Sequence, residues 1–167
     1  MRIPIQMRTI LFILICGVLH AQDSLPRKNA LIIDFINEHY GERVGVGVCG
    51  ELAYEAAKYI NPSATIDDTL NNYEIDYADI MPGDIIQFDS AYFANGDFAE
   101  NHMAIVYRIN HNGLITIAEQ NVATKPDNQM EVIYYGEKIM VEKDSHVSLS
   151  LLDMTSLIGG KIYFFRL

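Results

Sequence analysis

A cysteine attacks carbonyl carbon only as its thiolate, so its neighbours decide whether it can do chemistry. Cys49 stands where a glycine-punctuated loop, Gly45-Val46-Gly47-Val48, passes into an apolar helical pattern. The positive end of a helix dipole favours a thiolate there, and Val48 and Gly50 leave room for a substrate. Glu51 is expected to work against this, because a nearby carboxylate raises a thiol pKa. His102 opens a strand-like run, and Glu119 and Asn121 lie on the run that returns after Asn110-His111-Asn112-Gly113. If that turn holds an even number of residues, Glu119 and Asn121 share the face of His102 while Gln120 points away; an odd loop reverses the parity. A four-residue loop sets His102 opposite Asn121, with Glu119 diagonal to it. A carboxylate or amide beside an imidazole fixes its tautomer and stabilises the imidazolium, as a cysteine hydrolase requires of its third member. The competing readings are a buried inert thiol at Cys49 and a surface histidine at His102.

The other polar residues carry less. His39, His111 and His146 show no metal-ligand spacing with one another or with Cys49, so no metal site is expected. His111 reads as a turn residue and His39 as a helix-end residue. Asp84 is expected to cap its turn, and Asp67, Asp68, Glu74, Asp76 and Asp79 form a solvated loop face. No serine sits in a G-x-S-x-G elbow, and residues 45–50 lack the lysine of a phosphate loop.

The elements that must position these groups follow from periodicity. Leu31, Ile32, Phe35, Ile36 and Tyr40 recur at helical spacing before Gly41. Leu52, Ala53, Ala56, Ala57 and Ile60 form the apolar stripe of a second helix that Asn61-Pro62 ends. Residues 63–80 read as irregular. From Met81-Pro82-Gly83-Asp84 onward the pattern is strand-like: Ile85–Phe88, His102–Ile109, Leu114–Asn121, a hairpin of Glu131–Tyr135 and Lys138–Val141, and a closing strand Lys161–Arg166. Helices first and an antiparallel sheet afterwards is an α+β pattern.

Composition bounds the rest. The chain has 167 residues with a net charge of −10, from 12 Lys+Arg against 22 Asp+Glu. That length favours one domain, and the acidic balance argues against nucleic-acid binding, because phosphates are repelled. Arg2 and Arg8 flank an acid-free start, Ile10 to Leu19 is an apolar run, and Ala21 offers a small residue at a cleavage point. Residues 1–21 therefore read as a signal peptide, too short to span a bilayer, and residues 22–167 as a single secreted or periplasmic domain without stable membrane anchoring. Cleavage there removes Cys16 and leaves Cys49 as the one thiol, so no intramolecular disulfide is expected.

The order Cys49-Gly-Glu-Leu-Ala, Pro82-Gly83-Asp84-Ile-Ile-Gln-Phe, His102-Met-Ala-Ile-Val-Tyr and Ile117-Ala-Glu119-Gln-Asn121 resembles the CHAP family, the cysteine, histidine-dependent amidohydrolase/peptidases of the papain-like clan. The closing Gly160-Lys-Ile-Tyr-Phe-Phe-Arg166 is similar to how such domains end. The resemblance covers roughly residues 45–121 and the last seven. It implies a papain-like α+β fold, Cys49 as nucleophile, His102 as general base, Glu119 as the acidic orienting residue and Asn121 as the polar residue two positions on. It also implies hydrolysis of amide bonds in peptidoglycan, with no cofactor and no metal. Many relatives carry glutamine immediately before the nucleophile, where Val48 stands here. Some bind calcium through acids before the cysteine; only Glu42 lies near, so no calcium is expected. Residues 122–159 match nothing in the family and are expected to form substrate walls. The implied function is a secreted cysteine amidase or endopeptidase of peptidoglycan. The alternatives are a binding protein on the same fold without turnover, and a cysteine hydrolase of other peptides. No inhibitor or immunity partner is legible in the sequence.

Overall fold

The computed structural model describes residues 25–65, 73–122, 128–134 and 136–167. The segment read as a signal peptide, residues 1–21, lies outside the described residues, as do Asp67 and Asp68. Among the described residues two helices precede eight strands: α1 (Arg27–His39), α2 (Cys49–Ile60), β1 (Tyr73–Ile75), β2 (Ile85–Phe93), β3 (Phe98–Ile109), β4 (Leu114–Glu119), β5 (Gln129–Tyr134), β6 (Glu137–Glu142), β7 (Ser148–Asp153) and β8 (Leu157–Arg166). Six strands make an antiparallel sheet in the order β1-β8-β2-β3-β4-β7, and β5 and β6 form a separate hairpin. This is the expected α+β arrangement. β1 and β7 were not legible as strands, because each is short and sits at a sheet edge. The other strands run longer than their apolar patterns, most of all β2, β3 and β8, whose distal halves are largely exposed.

Strand parity divides the sheet into two cores. On one face Ile105 and Ala118 meet Ile32, Phe35 and Ile36 of α1 and Leu52 and Ala56 of α2. The Cys49–Ile60 helix buries its small residues, so the two helices and the sheet approach closely. Each fully buried aliphatic side chain there contributes about 1.5–3 kcal/mol. On the other face Phe88, Phe93, Ala104, Val106, Ile117 and Leu152 pack together. His102 and Glu119 belong by parity to this second face, away from the helices.

The β3–β4 hairpin departs from the expected even loop. Asn110 donates to the Leu114 carbonyl, which leaves three loop residues, His111-Asn112-Gly113. Asn112 and Gly113 take positive φ (60° and 78°), the conformation this loop type requires. An odd loop alone would put Glu119 on the wrong face. The register shifts once between Val106 and Arg108, so Tyr107 is an extra residue on β3 and the parity is restored. Beyond this bulge Ile105 pairs with Ala118.

Asp84 caps its turn, as expected, by accepting from the Met81 N–H at 2.7 Å. It also does more. Fully buried, it accepts from Asn29 of α1 at 3.0 Å and from Arg166 of β8 at 2.9 and 2.8 Å, tying both chain ends to the sheet.

Candidate active site

β3 is longer than its partner. The β3–β4 ladder ends at Ile105–Ala118, and β4 itself ends at Glu119. The next β3 residue that faces that side, Met103, is left without a β4 partner. Its backbone N–H instead points to the sulfur of Cys49. The start of α2 thus fills the slot where β4 leaves β3, and the thiol reaches the histidine next door.

The thiol is hydrogen-bonded to the His102 ring. The Nε2 atom of that ring lies 2.9 Å from Glu119 Oε2, which leaves Nδ1 for the sulfur. Both side chains are largely enclosed, with 16% of His102 and 9% of Glu119 exposed. Ser150 on β7 donates to the second carboxylate oxygen, Oε1, and Ser148 donates to the Glu119 carbonyl at 3.4 Å. Glu119 is held before it orients the imidazole.

The electrostatics favour a charged pair. Burial pushes the Cys49 pKa up, but the hydrogen bond and positive charge of His102 and the N–H groups of Met103 and Gly50 outweigh it, so the thiol titrates below its ordinary 9.0. Burial pulls His102 down, and its bonds to Cys49 and Glu119 outweigh that, raising it from 6.5 to about 9. Between the two values the dyad rests as thiolate and imidazolium. The Glu51 carboxylate, expected to oppose this, turns back to the loop and accepts from the Val46 N–H at 2.5 Å. A side chain at Gly45 would overlap that carboxylate, and Gly45 also holds a positive φ of 59°.

Asn121 is placed differently from the expectation. β4 ends two residues before it, its φ is +59°, and its Oδ1 accepts from the backbone N–H of Glu142 at 2.8 Å. Its amide oxygen is spent on docking the end of β6, not on His102. The reason is that the β4 strand geometry assumed for the parity argument stops at Glu119.

Three residues near the site had no signal in the sequence. Gln120 is fully buried beneath the loop that enters α2. Ser150 comes from a strand the sequence did not disclose. Tyr134 of β5 brings its hydroxyl to 3.8 Å from where a side chain on Gly50 would begin, so the hairpin walls the nucleophile. A cavity of about 580 Å³ opens beside His102 and Glu119, with Phe88, Phe93 and Phe98 on its apolar side and Asp97, Glu100 and Asp153 on its polar side. Among the described residues no three His, Cys, Asp or Glu side chains converge as metal ligands. His39 bonds the Phe35 carbonyl at 2.9 Å, as a helix-end residue does.

A cysteine on a helix start, hydrogen-bonded to a strand histidine that a carboxylate orients, on an α+β frame, defines a papain-like cysteine proteinase fold. The model of one family, the AIM3/BBC1 cysteine proteinase-fold domain, matches residues 29–167, and the chain belongs to that family. Searches of curated proteins and of solved structures gave no significant match.

Proposed function

We propose that this protein is a secreted, CHAP-like cysteine amidohydrolase/peptidase that cleaves amide bonds in peptidoglycan peptides. The observation that carries the hydrolase part is the unbroken line Cys49–His102–Glu119–Ser150, with both dyad members shifted toward the charged pair. The order of the motifs around Cys49, Pro82-Gly83-Asp84, His102 and Glu119, and the signal-like first 21 residues, support the wall substrate and the secreted location.

The Cys49 thiolate attacks the amide carbon, forming a carbon–sulfur bond and an oxyanion. Backbone N–H groups at the start of α2 are the donors nearest the sulfur, taking the place of the glutamine that Val48 replaces; each such donor is worth about a hundred- to a thousandfold in rate. The oxyanion collapses, the carbon–nitrogen bond breaks, and the imidazolium gives its proton to the leaving amine. Neutral His102 then takes a proton from water, whose hydroxide adds to the thioester carbon. Collapse expels the thiolate, frees the carboxylic acid and restores the resting pair.

The test is release of new amino groups from purified peptidoglycan by the wild type and by Cys49→Ala. Wild-type release with loss of about 10⁴-fold or more in the variant is expected; equal release by both refutes the catalytic role. Mass analysis of the fragments identifies the bond. Val48 favours a second reading, a binding protein on this fold without turnover. That reading requires a Cys49 that alkylates slowly and without an acidic inflection.

A further inference from the structure

We propose that Gln120 is a positioning residue for the nucleophile: it grips the loop that delivers Cys49 into the slot between β3 and β4, and so sets the sulfur against His102. The proposal rests on the hydrolase reading above.

Gln120 is fully buried, and its amide is spent on one short loop. Its Oε1 accepts from the Val44 N–H at 3.2 Å. Its Nε2 donates to the Val44 carbonyl at 3.1 Å and to the Val48 carbonyl at 2.6 Å. Val48 is the residue before Cys49, so the grip reaches to within one peptide of the nucleophile.

A buried amide is costly unless its groups are partnered, and an aliphatic side chain fills such a space without that demand. The three bonds here meet the demand, and what they hold is the approach to α2. That approach has little else to fix it. No side-chain cap closes the start of α2, and Gly45 and Gly47 give the loop backbone freedom that only outside contacts remove. Ser145 grips the same loop from its other side, donating to the Gly47 carbonyl at 2.7 Å. Ser145, however, has no chain neighbour in the dyad.

Gln120 does have one. It follows Glu119, and successive residues on extended backbone project to opposite sides. Glu119 reaches His102 on one side, and Gln120 reaches the cysteine loop on the other. One dipeptide therefore sets both reacting groups, and the spacing of sulfur and imidazole depends on its geometry. The hydrogen bond from Met103 to the sulfur exists only because β4 departs at this point.

The test is the pH dependence of Cys49 alkylation by iodoacetamide, read on the purified protein, on Gln120→Met and on His102→Ala. The wild type is expected to inflect well below an ordinary thiol, and His102→Ala to lose that inflection. Folded Gln120→Met is expected to inflect about one unit higher, so that below both inflections it alkylates about tenfold more slowly. A plug that only fills space changes thermal stability and leaves this profile alone. Folded Gln120→Met with the wild-type profile therefore overturns the proposal. If the variant does not fold, amide exchange in the wild type decides. Protection of the Val44 N–H comparable to the α2 interior supports the grip, and exchange at the rate of an open loop overturns it. A wild type without the low inflection sinks the hydrolase reading and the positioning role with it. A low inflection that Gln120→Met does not move sinks the positioning role alone.

Discussion

Two buried carboxylates anchor this molecule, and they differ in the cation each holds. Asp84 faces the Arg166 guanidinium, with the Asn29 amide and the Met81 N–H completing its shell. Glu119 faces an imidazole, with Ser150 on its other oxygen. Arginine keeps its proton at any pH a protein survives, so the Asp84 cluster can only hold chain ends together. Histidine exchanges its proton, and here the carboxylate and the thiol hold it charged up to about 9. The same desolvated pairing is a tie in one place and a proton store in the other.

Substitution at the two carboxylates separates these roles. Asp84→Ala leaves a guanidinium, an amide and a turn N–H without their acceptor. Denaturant unfolding is expected to show a loss of about 3 kcal/mol, while turnover per folded molecule keeps its wild-type pH profile. A changed profile would erase the distinction drawn above.

Glu119→Gln is expected to do the reverse. Activity needs thiolate and imidazolium together, so it rises as Cys49 ionises and falls as His102 loses its proton near 9. The carboxylate favours the charged imidazole, so removing it lowers the His102 pKa and moves the alkaline limb to lower pH. The rate at neutral pH is expected to fall about a hundredfold, with a smaller loss of stability than at Asp84. An alkaline limb that stays near 9 would show that Glu119 does not hold the proton on His102.

Ser150→Ala sharpens the comparison at its weakest link. It removes one hydrogen bond to an oxygen that the imidazole does not use, so a rate loss of about three- to tenfold is expected, with the alkaline limb slightly lowered. A loss as large as that of Glu119→Gln would place Ser150 alongside the carboxylate in importance.

Much of the site was legible because local chemistry marks it. A lone cysteine between glycines and a small-residue helix, and a histidine at the start of an apolar strand, are statements about neighbours in sequence. Glu119 was legible through strand parity, although the route to it was wrong in detail. The hairpin loop has three residues rather than an even number, and the bulge at Tyr107 corrects the face. Two irregularities cancelled, and no periodicity rule foresees that. Asn121 was misplaced because parity was carried past the point where β4 stops being a strand.

The residues of this chain, taken alone, determined the α+β order, the two amphipathic helices, the charge and the identity of the reacting pair, since all of these reside in side-chain type and local spacing. The tertiary structure alone decided that β4 leaves β3 at Glu119, that α2 enters the gap, and that Gln120, Ser150 and Tyr134 gather around it. Those are contacts between segments far apart in the chain. Their energies come from burial and hydrogen bonding across the folded core, which no local pattern of residues encodes.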